Sequence, residues 1–185
     1  MKTTGLRVSR LRDNVLLSGR ATFLDDVDVA DLLHVAFVRS PHAHALIRSI
    51  DTVAARAVAG VHAVLVLDDI VRAATMRRMP LIASSTAAKI PITPFILADR
   101  EVAYVGEIVA MVVATSRYRA EDGAGLVEVE YEPLPAVADL AAAIRPDAPL
   151  VRTELSSNVL GTYRLEYGDV DAAFAGDTLV FGERI

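Results

Sequence analysis

The sequence predicts an α+β fold: a mixed β-sheet with short helices, and extended arms at the N- and C-termini. Three observations lead there. Short runs rich in β-branched and aromatic residues, at 32–39, 45–50 and 61–67, are each cut by proline, glycine or aspartate, as strands bounded by turns are. Residues 108–114 are apolar on both faces, which fits a central strand covered on both sides. Asp51, Ser116 and Asp139 each stand before a brief helical stretch, where a side-chain oxygen satisfies the first free backbone N–H groups.

Residues 1–30 show little periodicity and read as an extended N-terminal arm with a turn at Asp25 and Asp26; Leu16, Leu17 and Phe23 on it need a covering surface. The main domain is expected over 31–145. Its first strand, 32–39, ends at Ser40-Pro41, because proline cannot donate to a ladder. A second strand runs over 45–50, and Asp51 caps a short helix over 52–57 that stops near Gly60. A third strand, 61–67, leads to a helical turn capped by Asp68 or Asp69 and reaching Arg72. Residues 73–98 hold Pro80, Pro91 and Pro94, the cluster Ser84-Ser85-Thr86 and no sustained period. A loop this long in a compact domain is functional or mobile. Its apolar Leu81, Ile82, Ile90, Ile92, Phe95 and Ile96 favour a segment lying against another surface.

Strands follow at 101–105 and 108–114, joined by Gly106-Glu107. Ser116 caps a helix over 117–124, weakened at its end by Gly123 and Gly125, about 1 kcal/mol each. Residues 126–131 alternate, so one face is wet, until Glu132-Pro133-Leu134-Pro135 halts the strand. This order of strand, helix and strand reads as a βαβ-like or split α+β unit. After Asp139 an alanine-rich helix reaches Ile144. Residues 146–185 read as a linker and the start of a following domain, extended over 150–168, with a helix over 170–175 capped by Asp169 and a strand begun at 178–185.

Composition excludes several classes. Hydrophobic residues make up 53% and charged residues 23% of the 185, so the chain is globular, not disordered. The net charge is −5, and Arg10, Arg12, Arg20, Arg39, Arg48 and Arg56 are scattered without a stripe. With aromatics at 5% and no tryptophan, a nucleic-acid partner is disfavoured. The absence of cysteine excludes disulfides, thiolate metal sites and iron–sulfur ligation by this chain. No signal-peptide pattern follows Lys2, and the longest apolar run, 108–114, is far short of a membrane span. The expected location is therefore the cytoplasm, with no membrane partner.

Several segments carry a resemblance in one consistent order. They are Gly19-Arg20-Ala21-Thr22-Phe23-Leu24-Asp25-Asp26, His34-Val35-Ala36-Phe37-Val38-Arg39-Ser40-Pro41-His42-Ala43-His44-Ala45 and Gly60-Val61-His62-Ala63-Val64-Leu65. Val105-Gly106-Glu107 and Val127-Glu128-Val129-Glu130-Tyr131-Glu132-Pro133-Leu134-Pro135-Ala136 follow. Ala148-Pro149-Leu150-Val151, Ser157-Asn158-Val159 and Gly168-Asp169-Val170-Asp171-Ala172-Ala173-Phe174 complete the set. Together they resemble the large, molybdenum-binding subunit of xanthine dehydrogenases, aldehyde oxidases and aerobic carbon monoxide dehydrogenases. The sequence departs from that pattern at Ile108, where a proline is common, at Gly123-Ala124-Gly125 in place of an alanine- and glutamate-rich helix end, and at Phe181-Gly182-Glu183-Arg184-Ile185 in place of a more acidic strand.

The resemblance implies the N-terminal α/β hammerhead domain, which precedes the molybdopterin-binding domains. It implies a non-catalytic domain or split subunit that covers the cofactor domain, shapes substrate entry and carries part of the subunit interface. The implied holoenzyme is a molybdenum-dependent oxidoreductase of a small-molecule substrate. It would use molybdopterin (as the cytosine dinucleotide), [2Fe-2S] and FAD, with the iron–sulfur and flavin units on other subunits. The family's glycine-rich cofactor loop and its glutamate near the metal are not found in these residues; Gly123-Ala124-Gly125 and Glu183 stand in the wrong context. No catalytic, cofactor-binding or metal-binding residue is therefore assigned to the chain. The resemblance also implies apolar side chains lining the funnel toward molybdenum. Phe95 and Ile96 are the expected ones, being bulky, apolar and bounded by Pro94; the plainer alternative is that they pack on a neighbouring domain.

Other residue patterns invite a chemical reading. His42 and His44 lie two apart, a spacing that shares a strand face and suits a metal. No carboxylate or thiol shares their spacing, so hydrogen bonds to the corner backbone or a neighbouring domain are expected instead. His34 is tempting as a third ligand, and His62 reads as a core or interface group. Asp25, Asp26 and Asp28 suit a hard cation, but such a turn is usually solvated or capping. Gly106-Glu107 lines a site or makes a tight turn, and Glu121-Asp122 diverge on a helix and form no catalytic pair. Beside the hammerhead reading stand a free-standing binding or scaffold protein and a small enzyme using the His42/His44 corner.

Overall fold

Residues Ile108–Ala114, the run apolar on both faces, form the middle strand of an antiparallel sheet. The computed structural model describes residues 5, 10–27, 29–74, 76–80, 93–165, 167–176, 179 and 181. In chain order its first elements are α1 (Asp13–Leu17), a 3-10 turn (Leu24–Asp26), β1 (His34–Arg39), β2 (Ala45–Asp51), α2 (Val53–Arg56), β3 (Val61–Leu65) and α3 (Leu67–Ala74). Then come β4 (Glu101–Val102), β5 (Ile108–Ala114), α4 (Arg117–Gly125), β6 (Glu128–Pro133), α5 (Leu140–Ala143) and α6 (Val170–Phe174).

The α+β class is as expected, but the strands divide between two sheets where one mixed sheet was predicted. One sheet has the order β1-β5-β3 and the other β4-β2-β6. Every named pairing is antiparallel. The unit β5-α4-β6 is thus not a βαβ crossover within one sheet, since its two strands sit in different sheets.

The Ser40-Pro41 corner carries the chain from one sheet to the other. Pro41 has no N–H to continue β1. Ser40 is buried and is held by Glu107 and Gly106: its N–H donates to the Glu107 carbonyl at 2.9 Å, and its carbonyl accepts from Gly106 N–H at 2.8 Å. The His42 N–H then donates to Ser40 Oγ at 3.0 Å, turning the chain toward β2.

The core is built from small residues. Ala55, Val64, Ala110, Val112 and Val127 form one cluster, and Ala45, Ala98, Val102 and Val109 form another. Strand β5 serves both, and Ile50 and Val129 pack against each, so the two sheets share a continuous interior. Each valine side chain buried this way contributes about 1.5–3 kcal/mol. Gly123 explains how α4 comes so close: a Cβ there would meet Val112 Cγ1 at 2.9 Å and Val61 Cγ2 at 3.1 Å. The glycine costs helix propensity but permits tight packing of helix on sheet.

Several element ends shift for local reasons. The strand expected over 101–105 is only Glu101–Val102, because Ala103 N–H donates to the Glu107 carboxylate at 2.6 Å instead of to a neighbouring strand. Residues 126 and 127 close α4 through N–H bonds to Gly123 and Ala124 carbonyls. β6 therefore starts at Glu128 and runs to Pro133, which is tolerated because β6 is an edge strand. In the arm, an extended run was expected, yet two helical turns form. Asp13 accepts the Arg10 N–H at 3.2 Å and Asp26 accepts the Phe23 N–H at 2.8 Å, each carboxylate closing a turn. The Leu11, Leu17, Phe23 and Leu24 side chains of the arm remain exposed. Residues 81–92, with Leu81, Ile82, Ile90 and Ile92 and the serine cluster, lie outside the described residues. So do Asp28 and most of the strand expected at 178–185.

Candidate functional site

The segment bearing Phe95 and Ile96 is fastened at its base. Met79 N–H donates to the Pro94 carbonyl at 2.9 Å and Ile96 N–H to the Arg77 carbonyl at 3.0 Å. Arg78 and Phe95 thus stand opposite each other in a short antiparallel bridge. The Arg78 guanidinium lies over the Phe95 ring, 3.7 Å from its centroid. It also donates to the Thr93 carbonyl and pairs with Glu154. A second guanidinium, that of Arg152, stands 5.6 Å from the same centroid. Each such contact contributes roughly 0.5–2 kcal/mol, more as water is excluded. Phe95 and Ile96 are both half-buried. Beside them an apolar notch of about 340 Å³ is lined by Pro94, Tyr104, Val151, Arg152, Leu155 and Leu160.

Glu107 places Arg152. Its carboxylate takes the Arg152 guanidinium on one oxygen at 2.5 Å and the Ala103 N–H on the other at 2.6 Å. Both side chains are buried, Glu107 at 3% and Arg152 at 8% exposure. A buried ion pair holds only when geometry and extra hydrogen bonds offset desolvation, and here the carboxylate has both. A second buried carboxylate, Glu101, grips the next residue: it accepts the Thr153 N–H at 2.9 Å and the Thr153 hydroxyl at 2.9 Å. β4 and the turn after it therefore pin two successive residues of the 149–155 segment.

His44 completes this cluster. Its Nδ1 lies 2.7 Å from the Pro135 carbonyl, and its Nε2 lies 2.5 Å from Glu101 Oε1. A carbonyl only accepts, so Nδ1 is the donor in the first of these contacts. Both ring nitrogens are taken by protein partners, which leaves neither for a metal or a substrate. His42 diverges and packs its ring on Tyr131, 4.9 Å between centroids. Burial pushes the Tyr131 phenol above its ordinary pKa, and a hydrogen bond with Ser40 opposes that rise.

The remaining candidates separate. His34 and His62 border an open cleft of about 840 Å³ with Asp25, Asp26 and Asp31. His62 is exposed, not a core group. Among the described residues, no three His, Cys, Asp or Glu side chains group to hold a metal. Glu121 and Asp122 are exposed on α4. Gly106-Glu107 makes the tight turn expected, with Glu107 N–H donating to the Tyr104 carbonyl at 3.2 Å, and the Glu107 carboxylate is in addition a buried ionic anchor. Glu101, Arg78 and Arg152 carry no site reading from sequence. The available signal was a charged residue set directly against apolar strands at 101 and 107, positions that stay buried only when paired. No helix among the described residues is long and apolar enough to cross a membrane.

Residues 18–135 match the family described as aldehyde oxidase and xanthine dehydrogenase, a/b hammerhead domain. The chain belongs to the molybdenum hydroxylase large-subunit family. The chain is 39% identical over 184 residues to the carbon monoxide dehydrogenase large chain of Afipia carboxidovorans, covering 92% of this chain and 22% of that relative. It is 42% identical over 171 residues to the nicotine 6-hydroxylase large subunit of Paenarthrobacter nicotinovorans, covering 92% of this chain and 20% of the relative. Among solved structures, the Cu,Mo-CO dehydrogenase in its carbon monoxide reduced state superposes with a TM-score of 0.75 at 38% identity, over 93% of this chain and 22% of that one. The chain thus spans about a fifth of the length of the curated relatives it matches. Phe95 and the carboxylates Glu101 and Glu107 lie inside the matched region, whereas Arg152, Thr153 and Glu154 lie beyond it.

Proposed function

We propose that this chain is a non-catalytic part of a molybdopterin-dependent hydroxylase or dehydrogenase, as a domain or a split subunit. It covers the cofactor-bearing domain, and Phe95 and Ile96 line the path by which a small-molecule substrate approaches. The observation that carries the reading is the Phe95 clamp: a half-exposed aromatic ring gripped by two guanidiniums beside an apolar notch. Such a ring presents a rigid apolar face at low entropic cost, which suits a wall that sorts substrates by shape. The exposed Leu11, Leu17, Phe23 and Leu24 fit a chain that buries its arm on a partner.

The whole enzyme is proposed to act in the cytoplasm and to use molybdopterin cytosine dinucleotide, [2Fe-2S] clusters and FAD, held by partner domains or subunits. The donor set of this chain does not fit those groups. It has no cysteine for an iron–sulfur cluster, and both nitrogens of the buried His44 are engaged. No step at the metal is assigned to its side chains.

The test is Phe95→Ala in the assembled enzyme, measured with a small and a bulky substrate of the same reaction. Removing a wall that sorts substrates moves KM and the ratio of kcat/KM between the two substrates, while kcat for the small one holds. An unchanged ratio would overturn the assignment of Phe95.

A further inference from the structure

The two guanidiniums at Phe95 are not equivalent. Arg78 sits opposite Phe95 in the same short bridge and donates to Thr93, two residues before the ring. It therefore travels with the segment it contacts. Arg152 is different: it is held by Glu107, whose other oxygen is tied to Ala103 and whose main chain holds the Ser40 corner. Among the described residues, Arg152 is the buried arginine; the residue lines the notch and its guanidinium faces the ring. Charge in the cluster is balanced, Arg152 by Glu107 and Arg78 by Glu154. The ring is thus referred to the sheet framework through Arg152.

We propose that Arg152 is the positioning residue for Phe95: pinned by Glu107, its guanidinium sets where the ring stands beside the notch. Residues 149–155 then belong to the substrate-approach unit, although they lie past the family match that ends at 135. This rests on the reading that Phe95 lines the approach, and it adds the residue that aims it. Arginine is suited to the task because its flat guanidinium meets a carboxylate and an aromatic face together, which an ammonium does not.

The chain has no tryptophan, so Phe95→Trp in the full chain introduces a single fluorescent reporter at the site. In that background, Glu107→Gln/Arg152→Gln removes both charges together, which a fold tolerates better than removing one. The expected result is a red-shifted indole emission and a severalfold rise in acrylamide quenching, with far-UV circular dichroism unchanged. Arg152→Lys keeps the charge and the Glu107 partner and gives a smaller shift. Val112→Ala loosens the distant core and leaves the indole as it was. Equal shielding in the parent and the double variant would overturn the proposal, as would an equal shift from Val112→Ala. A shifted indole with unchanged Phe95→Ala kinetics upholds the positioning role and removes the substrate-approach reading. Altered kinetics with an unmoved indole does the reverse.

Discussion

Glu107 and Arg152, 45 positions apart in sequence, form a buried ion pair at 2.5 Å that ties the turn before β5 to the segment following α5. The pair sits where water cannot compensate a lost partner. Glu107→Gln alone strands the Arg152 charge and is expected to destabilise the fold by about 3 kcal/mol. The double variant Glu107→Gln/Arg152→Gln is expected to cost less than either single change. Urea denaturation midpoints of the three variants check this; a double variant as damaged as the sum of the singles would show that the pair is not coupled.

Gly123 is expected to resist replacement. Gly123→Ala gains about 1 kcal/mol of helix propensity but drives a methyl into Val112 and Val61, an overpacking cost of about 1–3 kcal/mol. The clash prevails, so thermal unfolding should fall. Gly125→Ala, with no atom within 4 Å of the added carbon, should instead be neutral or stabilising. The two glycines are separated by one residue, and the opposite signs distinguish packing from propensity.

Tyr131 carries a pH signature. Its phenol is raised by burial, with the Ser40 hydrogen bond opposing. The folded state thus holds this proton more tightly than the unfolded state, whose phenol titrates near pH ~10. The resulting stability is fully present below the unfolded value and is lost as pH rises through the folded one. Denaturation midpoints should therefore fall at alkaline pH, and Tyr131→Phe should flatten that fall. An identical alkaline slope in the variant would place the effect elsewhere.

Elements with a local signal were legible in the sequence. Ser116 caps α4, accepting the Arg119 N–H, and Asp139 caps α5, accepting the Ala142 N–H at 2.6 Å. The run at 108–114 was read as a central strand and is one. The division into two sheets was not legible, because it depends on partners far apart: β2 pairs with both β4 and β6, and nothing within residues 45–51 names either. The same holds for the site. Phe95 and Ile96 stood out by type and by their proline neighbour, but the guanidiniums that grip the ring come from opposite sides of the sequence. Glu101 and Glu107 looked like ordinary strand and turn carboxylates until their partners at 44, 152 and 153 were brought beside them.

The central claim is that this chain shapes a molybdenum enzyme without holding its chemistry. Metal content and activity, measured on the chain alone and on the chain co-expressed with the remainder of a large subunit, test it most directly. The chain alone should carry no molybdenum and no dehydrogenase activity, and should co-purify stoichiometrically with the molybdopterin-binding partner, whose complex carries both. Stoichiometric metal on the isolated chain, or a monodisperse chain that ignores that partner and binds a small ligand by itself, would contradict it.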